Sequence, residues 1–125
     1  MGEKHYMDDI LRYIYVLELE EGCYYIGQTQ KTSYEQRMKR HFDTNGKSRK
    51  SAWVKLHKAI KVIELIEYKG TVPYLEKFEN DKTIEYMKKY GVSKVRGGYY
   101  CQADVDEVIK CLKAHGYNVA THTGR

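Results

Sequence analysis

At 125 residues the chain suffices for one domain with a substantial core and is short for two. Its 42% hydrophobic and 31% charged residues are the balance of a folded globular protein and exclude a disordered one. A net charge of +5 suits a polyanionic partner, while the absence of a long apolar run and of a leader-like start (MGEKHYMDD) implies an intracellular protein with no membrane span.

Residues 13–19 (YIYVLEL) are rich in β-branched and aromatic side chains and read as a strand, with residues 23–27 (CYYIG) as its partner. Glu20, Glu21 and Gly22 between them fit a three-residue hairpin loop with the glycine in its left-handed last position. That loop length pairs Leu19 with Cys23, Leu17 with Tyr25 and Tyr15 with Gly27. Because side chains alternate, Tyr15 and Tyr25 then share a face. The alternate residues Ile14, Val16, Tyr24 and Ile26 are apolar as well, so the sheet is expected to be covered on both sides.

Thr32 and Ser33, each followed three residues on by Glu35 or Gln36, offer capping boxes for a helix running to about Phe42. Tyr34, Met38 and Phe42 form its buried stripe, and Arg37 and His41, four apart, lie together on the adjacent face. Between Lys31 and Lys61 basic residues face only Glu35 and Asp43, and Lys47, Arg49 and Lys50 sit in a Gly/Ser-containing loop suited to phosphate contacts or to simple solvation. Gly46-Lys47-Ser48 is not a Walker loop, because the position of its other required glycine holds His41 and a helix precedes it. A short helix is expected over residues 52–59, a third strand over 62–68, and a turn over 70–73 with Pro73 at a helix start. A long helix follows over residues 74–90, closed by Gly91, then a basic glycine-containing loop over 92–100. A last helix begins at Ala103 or Asp104 and ends at His115, before Gly116. The tail beyond Asn118 is expected to fray.

Three cysteines, Cys23, Cys101 and Cys111, with no CxxC pair argue against a disulfide framework. Cys101, Cys111 and His115 match no standard zinc spacing and read as packing cysteines with a surface histidine. Glu79 is the odd residue. It falls within the stripe of Leu75, Phe78, Tyr86 and Tyr90 on the long helix, where a carboxylate is costly unless paired, protonated or bound to a metal. A paired structural glutamate is the plain reading of that position. Solvent-facing charges are the plain reading of Arg37 and His41, and core phenols that of Tyr15 and Tyr25.

Taken together these residues say more. Tyr13-Ile14-Tyr15, then Tyr25-Ile26-Gly27, then Arg37 and His41 on a helix and a helical Glu79, resemble the GIY-YIG nuclease family over about residues 13–100. Trp53-x-x-x-His57 adds to the likeness. Val95-Arg96-Gly97-Gly98 is similar to a branch of stand-alone nuclease domains. Two departures stand out: Tyr13 occupies a position that is commonly Gly, and the region where many members carry an Asn holds Arg96-Gly97-Gly98.

The resemblance implies a mixed α+β fold with a three-stranded antiparallel sheet flanked by helices. Residues 10–102 would form the nuclease-like domain, with the helix of 103–117 packed on it and 118–125 as a tail. It implies an endonuclease that hydrolyses DNA phosphodiester bonds through one Mg²⁺ or Mn²⁺ ion held by Glu79. Tyr15 would contact or deprotonate the attacking water, Tyr25 would orient nucleophile or phosphate, Arg37 would bind the non-bridging oxygens, and His41 would tune a tyrosine or relay a proton. Lys47, Arg49, Lys50, His57 and Arg96 are the expected contacts to nucleic acid. The alternative is a catalytically inactive nucleic-acid-binding domain on the same fold.

Overall fold

The hairpin loop decides the geometry of everything built on it. In the computed structural model, which describes residues 10–43 and 51–117, strands β1 (Ile10–Leu19) and β2 (Cys23–Gln30) are joined by a 3₁₀ turn over Glu20–Gly22. They pair antiparallel with Leu19 opposite Cys23, Leu17 opposite Tyr25 and Tyr15 opposite Gly27, the register that a three-residue loop dictates. Gly22 is left-handed at φ 71°, as expected, but Glu21 precedes it at φ 66°. That unusual residue is held by its surroundings: His57 Nδ1 lies 2.6 Å from its carboxylate, and Lys94 Nζ donates to its carbonyl at 3.2 Å.

After a second 3₁₀ turn (Lys31–Ser33), α1 spans Tyr34–Phe42. The capping boxes expected at Thr32 and Ser33 are not made. The 3₁₀ turn runs straight into the helix, and the Ser33 side chain caps nothing. Helix α2 (Ala52–Leu56) stops three residues before the expected end because Ala59 already belongs to β3 (Ala59–Gly70), which is correspondingly longer than foreseen. Ser51 caps α2 by accepting from the Val54 N–H at 3.1 Å. Helix α3 (Val72–Tyr90) carries Pro73 in its first turn and ends on Gly91 at φ 101°.

The sheet corrects one expectation. It has four strands in the order β3-β1-β2-β4, because Val95–Gly97, foreseen as loop, forms β4 and runs parallel to β2. Gly97 permits that approach: a Cβ there would lie 2.6 Å from the Ile26 carbonyl oxygen and 2.7 Å from Thr83 Oγ1. Helix α4 (Val105–Ala114) follows.

Both sheet faces are covered, as the doubly apolar strands require. On one face Ile14, Val16 and Ile26 pack under Ile84 and Met87 of α3 and Val108 and Leu112 of α4. On the other, Tyr15, Leu17, Leu19 and Tyr25 pack with Trp53 and Val54 of α2 and with Met38 and Phe42 of α1. Each fully buried aliphatic side chain contributes roughly 1.5–3 kcal/mol relative to exposure, so the two apolar layers anchor the hairpin firmly between them. No helix among the described residues is long and apolar enough to cross a membrane.

Candidate active site

Tyr15 is wholly buried at the centre of β1, with its ring lying over Gly27 on the neighbouring strand. A Cβ at position 27 would come within 2.5 Å of Tyr15 Oη and 2.6 Å of Cζ, so the glycine is the space that the phenol occupies. Two residues of α1 meet that hydroxyl. Arg37 Nε donates to Tyr15 Oη at 3.2 Å, and His41 Nε2 lies 2.8 Å from the same oxygen. Tyr15 Oη thus meets a guanidinium donor on one side and an imidazole nitrogen on the other. The four-residue spacing of Arg37 and His41 is what brings both to one hydroxyl. His41 is itself only 4% exposed; it turns into the sheet and is not a solvent-facing charge.

Tyr25 completes a triangle of rings, with centroids 6.4 Å from Tyr15 and 5.5 Å from His41. The Arg37 charge acts on the Tyr25 phenol as well, so one guanidinium serves the tyrosine pair. Burial pushes both tyrosines above the ordinary phenol range, for Tyr15 with the facing Tyr25 adding to it, and Arg37 only partly offsets this. Burial alone would lower the Arg37 pKa, but the two phenols outweigh it and hold the guanidinium more firmly charged than usual. At neutral pH the group is therefore a positive arginine between two neutral hydroxyls.

Glu79 reaches this group from α3. Gln28 Nε2 donates to its Oε1 at 2.9 Å, and the backbone of Gly98, just beyond β4, favours the charged carboxylate. Burial nonetheless raises its pKa above the ordinary carboxylate value, with Gln28, Gly98 and the Arg37 charge acting in the opposite direction. Glu79 adds in turn to the upward shifts of Tyr15 and Tyr25, which puts all four groups in one electrostatic neighbourhood. Asn80 fixes the turn beside it: its Oδ1 accepts the Tyr99 N–H at 2.8 Å, and left-handed Gly98 (φ 53°) leaves room that a side chain would fill. By contrast Glu76 and Glu85 on the same helix are exposed.

The expected nucleic-acid contacts divide. Arg96 is a correction: it is 1% exposed and faces inward. Its guanidinium donates to the carbonyls of Val92 (2.6 Å), Val95 (2.8 Å), Gln102 (2.6 Å) and Ala103 (3.2 Å), and lies 4.2 Å from the Trp53 ring centre. Burial pulls its pKa down to about 10, and its hydrogen-bonding capacity is spent on the backbone. His57 stands at the hairpin turn, paired with Glu21 and edge-on to Trp53 at 4.4 Å, apart from the tyrosine group. Lys47, Arg49 and Lys50 lie outside the described residues, as does Asn118. His115 bonds to the Tyr100 hydroxyl at 2.7 Å, and no cluster of three or more His, Cys, Asp or Glu among the described residues has metal-ligand geometry.

Gln28 was not singled out from the sequence, although a signal existed. It follows Tyr24 and Ile26 on one β2 face as the first polar residue there, next to the glycine of Tyr25-Ile26-Gly27. With this geometry in view the family can be stated. The sequence model of the GIY-YIG catalytic domain matches residues 11–90, and the chain belongs to that family of nucleases. The match takes in Tyr15, Tyr25, Arg37, His41 and Glu79 and stops before Val95–Gly98. Searches of curated proteins and of solved structures returned no match.

Proposed function

We propose that the protein is a metal-dependent endonuclease that hydrolyses DNA phosphodiester bonds, with Tyr15, Tyr25, Arg37 and His41 as catalytic residues and Glu79 as the metal ligand. The observation that carries this reading is the hydrogen-bonded chain Arg37–Tyr15–His41, with Glu79 close enough to perturb it electrostatically.

The donor set suits a hard divalent cation. Glu79 is a half-buried carboxylate whose proton affinity is raised by desolvation, so a cation there relieves an unfavourable charge. A single carboxylate with water completing the shell fits Mg²⁺ or Mn²⁺ better than zinc. When bound, the ion supplies Lewis-acid stabilisation of phosphate oxygen charge and favours deprotonation of a nearby water.

The residues of this chain do the rest. Arg37 offers a planar, permanently charged donor array to the non-bridging oxygens and offsets charge that builds in the transition state. As the water oxygen bonds to phosphorus, its proton passes to Tyr15 Oη and the phenolic proton passes to His41 Nε2. The P–O bond to the leaving sugar oxygen then breaks, that oxygen takes a proton from solvent water to leave as the alcohol, and His41 returns its proton to solvent. A phenol whose pKa is raised is a poor base alone, which is why the relay ends on an imidazole. Tyr25, under the influence of the same guanidinium, keeps nucleophile and phosphate aligned.

Incubating the protein with supercoiled plasmid and Mg²⁺ or Mn²⁺ tests this directly. Nicked or linear product is expected, with Glu79→Ala and Arg37→Ala each at least about 100-fold slower. Plasmid binding without cleavage across pH and metals would leave a binding domain in place of an enzyme. Cleavage that survives Glu79→Ala would move the metal to another carboxylate, Glu76 first.

A further inference from the structure

Beside the tyrosine group a cleft of about 360 Å³ opens between the ends of β1 and β2 and the start of α1. It shares Arg37 with the catalytic group and Gln28 with Glu79, so the two sites adjoin. Two further arginines line it: Arg12 on β1, opposite Gln30, and Arg40, three residues beyond Arg37 on α1. The other lining side chains are neutral donors and acceptors, Gln28, Gln30 and Gln36 among them, and none is Asp or Glu.

Three guanidinium groups around one cleft repel each other unless an anion lies between them. Arg12 adds an independent sign of a missing partner: its Nε is buried and meets no hydrogen-bond acceptor among the described residues. Arg37 is already committed to the two phenols and, in the proposed reaction, to the phosphate being cleaved. Arg12 and Arg40 have no such duty.

We propose that Arg12 and Arg40 bind the phosphate next to the scissile one, making this cleft the seat of the continuing strand. The inference rests on the nuclease reading for the identity of the neighbouring phosphate. It makes strand continuation on one side of the cut a requirement for tight binding. It also assigns to these two arginines the electrostatic role that Arg96, turned inward, does not fill.

The test measures binding and turnover separately. A labelled duplex oligonucleotide is titrated over a series of KCl concentrations without divalent metal, against wild type, Arg12→Gln/Arg40→Gln, Arg12→Lys and, as a charge control on α4, Lys113→Gln. The salt dependence of log K is expected to fall by about 0.9 in the double variant, one duplex phosphate contact. Arg12→Lys keeps the slope because it keeps the charge, and Lys113→Gln leaves both slope and affinity unchanged. With metal added, the double variant is expected to lose about tenfold in kcat/KM, chiefly through KM. Arg40 is exposed on α1, so Arg40→Glu secures the test if the double variant does not fold; it should weaken binding well beyond Lys113→Glu.

A double variant that matches Lys113→Gln in slope and KM overturns the inference, and so does a wild type that does not bind the duplex. An inactive protein whose binding still depends on Arg12 and Arg40 removes the nuclease reading and leaves the cleft assignment standing. An active enzyme indifferent to both arginines does the reverse.

Discussion

The Tyr15 hydroxyl is the meeting point of two helix residues and one strand. It accepts from Arg37, faces His41, and occupies the space left by Gly27. Tyr15→Phe removes the oxygen and leaves the ring, so the packing against Tyr25 and Leu17 survives. We expect the variant to fold, to lose about 1–2 kcal/mol from the two broken hydrogen bonds, and to lose about 10²–10⁴-fold in cleavage rate. Melting curves and plasmid nicking assays check the two halves; near-normal nicking by a folded variant would take Tyr15 out of the proton path. The sequence already named Tyr15, Tyr25, Arg37, His41 and Glu79, because strand alternation and helix spacing are rigid rules that put them on definable faces. It did not name Gln28 or Arg12. Alternation places Gln28 on the face of Tyr24 and Ile26 but gives it no partner, and its role became readable only when α3 brought Glu79 to it; Arg12 carries no such mark.

Elements with strong periodicity were legible, and those without it were not. The hairpin register followed from counting three loop residues, since one residue more or less would have put Tyr15 and Tyr25 on opposite faces. Strand β4 could not be seen in the same way. It is three residues long, contains Gly97, and pairs parallel with a strand some seventy positions earlier, so it shows neither alternation nor a hairpin turn. Misreading it as loop is what made Arg96 look available to DNA. In the sheet, Arg96 sits opposite Tyr25 and ties the chain on both sides of β4 through backbone carbonyls. Arg96→Ala strands those carbonyls and empties the space over Trp53. It is expected to cost about 3 kcal/mol or more, a large share of a domain stability of about 5–15 kcal/mol. Duplex affinity of the folded fraction should stay as in wild type. A variant that melts normally but binds DNA weakly would restore Arg96 to the surface role.

At the scale of the whole molecule, Glu79 ties the proposed metal site to stability. Its pKa is higher in the folded state than in the unfolded chain, burial being the main cause. The sign follows: the folded state binds that proton more tightly, so stability is lost as pH rises between the unfolded and the folded pKa, and the full cost is present above both. Below the unfolded pKa the carboxyl is protonated in either state and costs nothing. Glu79→Gln keeps an Oε1 acceptor for Gln28 and removes the charge. The variant is therefore expected to melt above wild type at neutral pH, with the difference shrinking toward zero as pH falls below the ordinary carboxylate range. A divalent ion held by Glu79 reverses the order. At free metal 100-fold over its Kd, wild type gains about 2.7 kcal/mol, or on the order of 10 °C for a domain of this size. Glu79→Gln should gain nothing. Melting both proteins with and without Mg²⁺ or Mn²⁺ across pH reads the two effects together. If the metal raises both melting points equally, the ion sits elsewhere. If wild type is the more stable protein at neutral pH without metal, the buried charge is compensated within the fold, and Glu79 needs no cation to explain its place on α3.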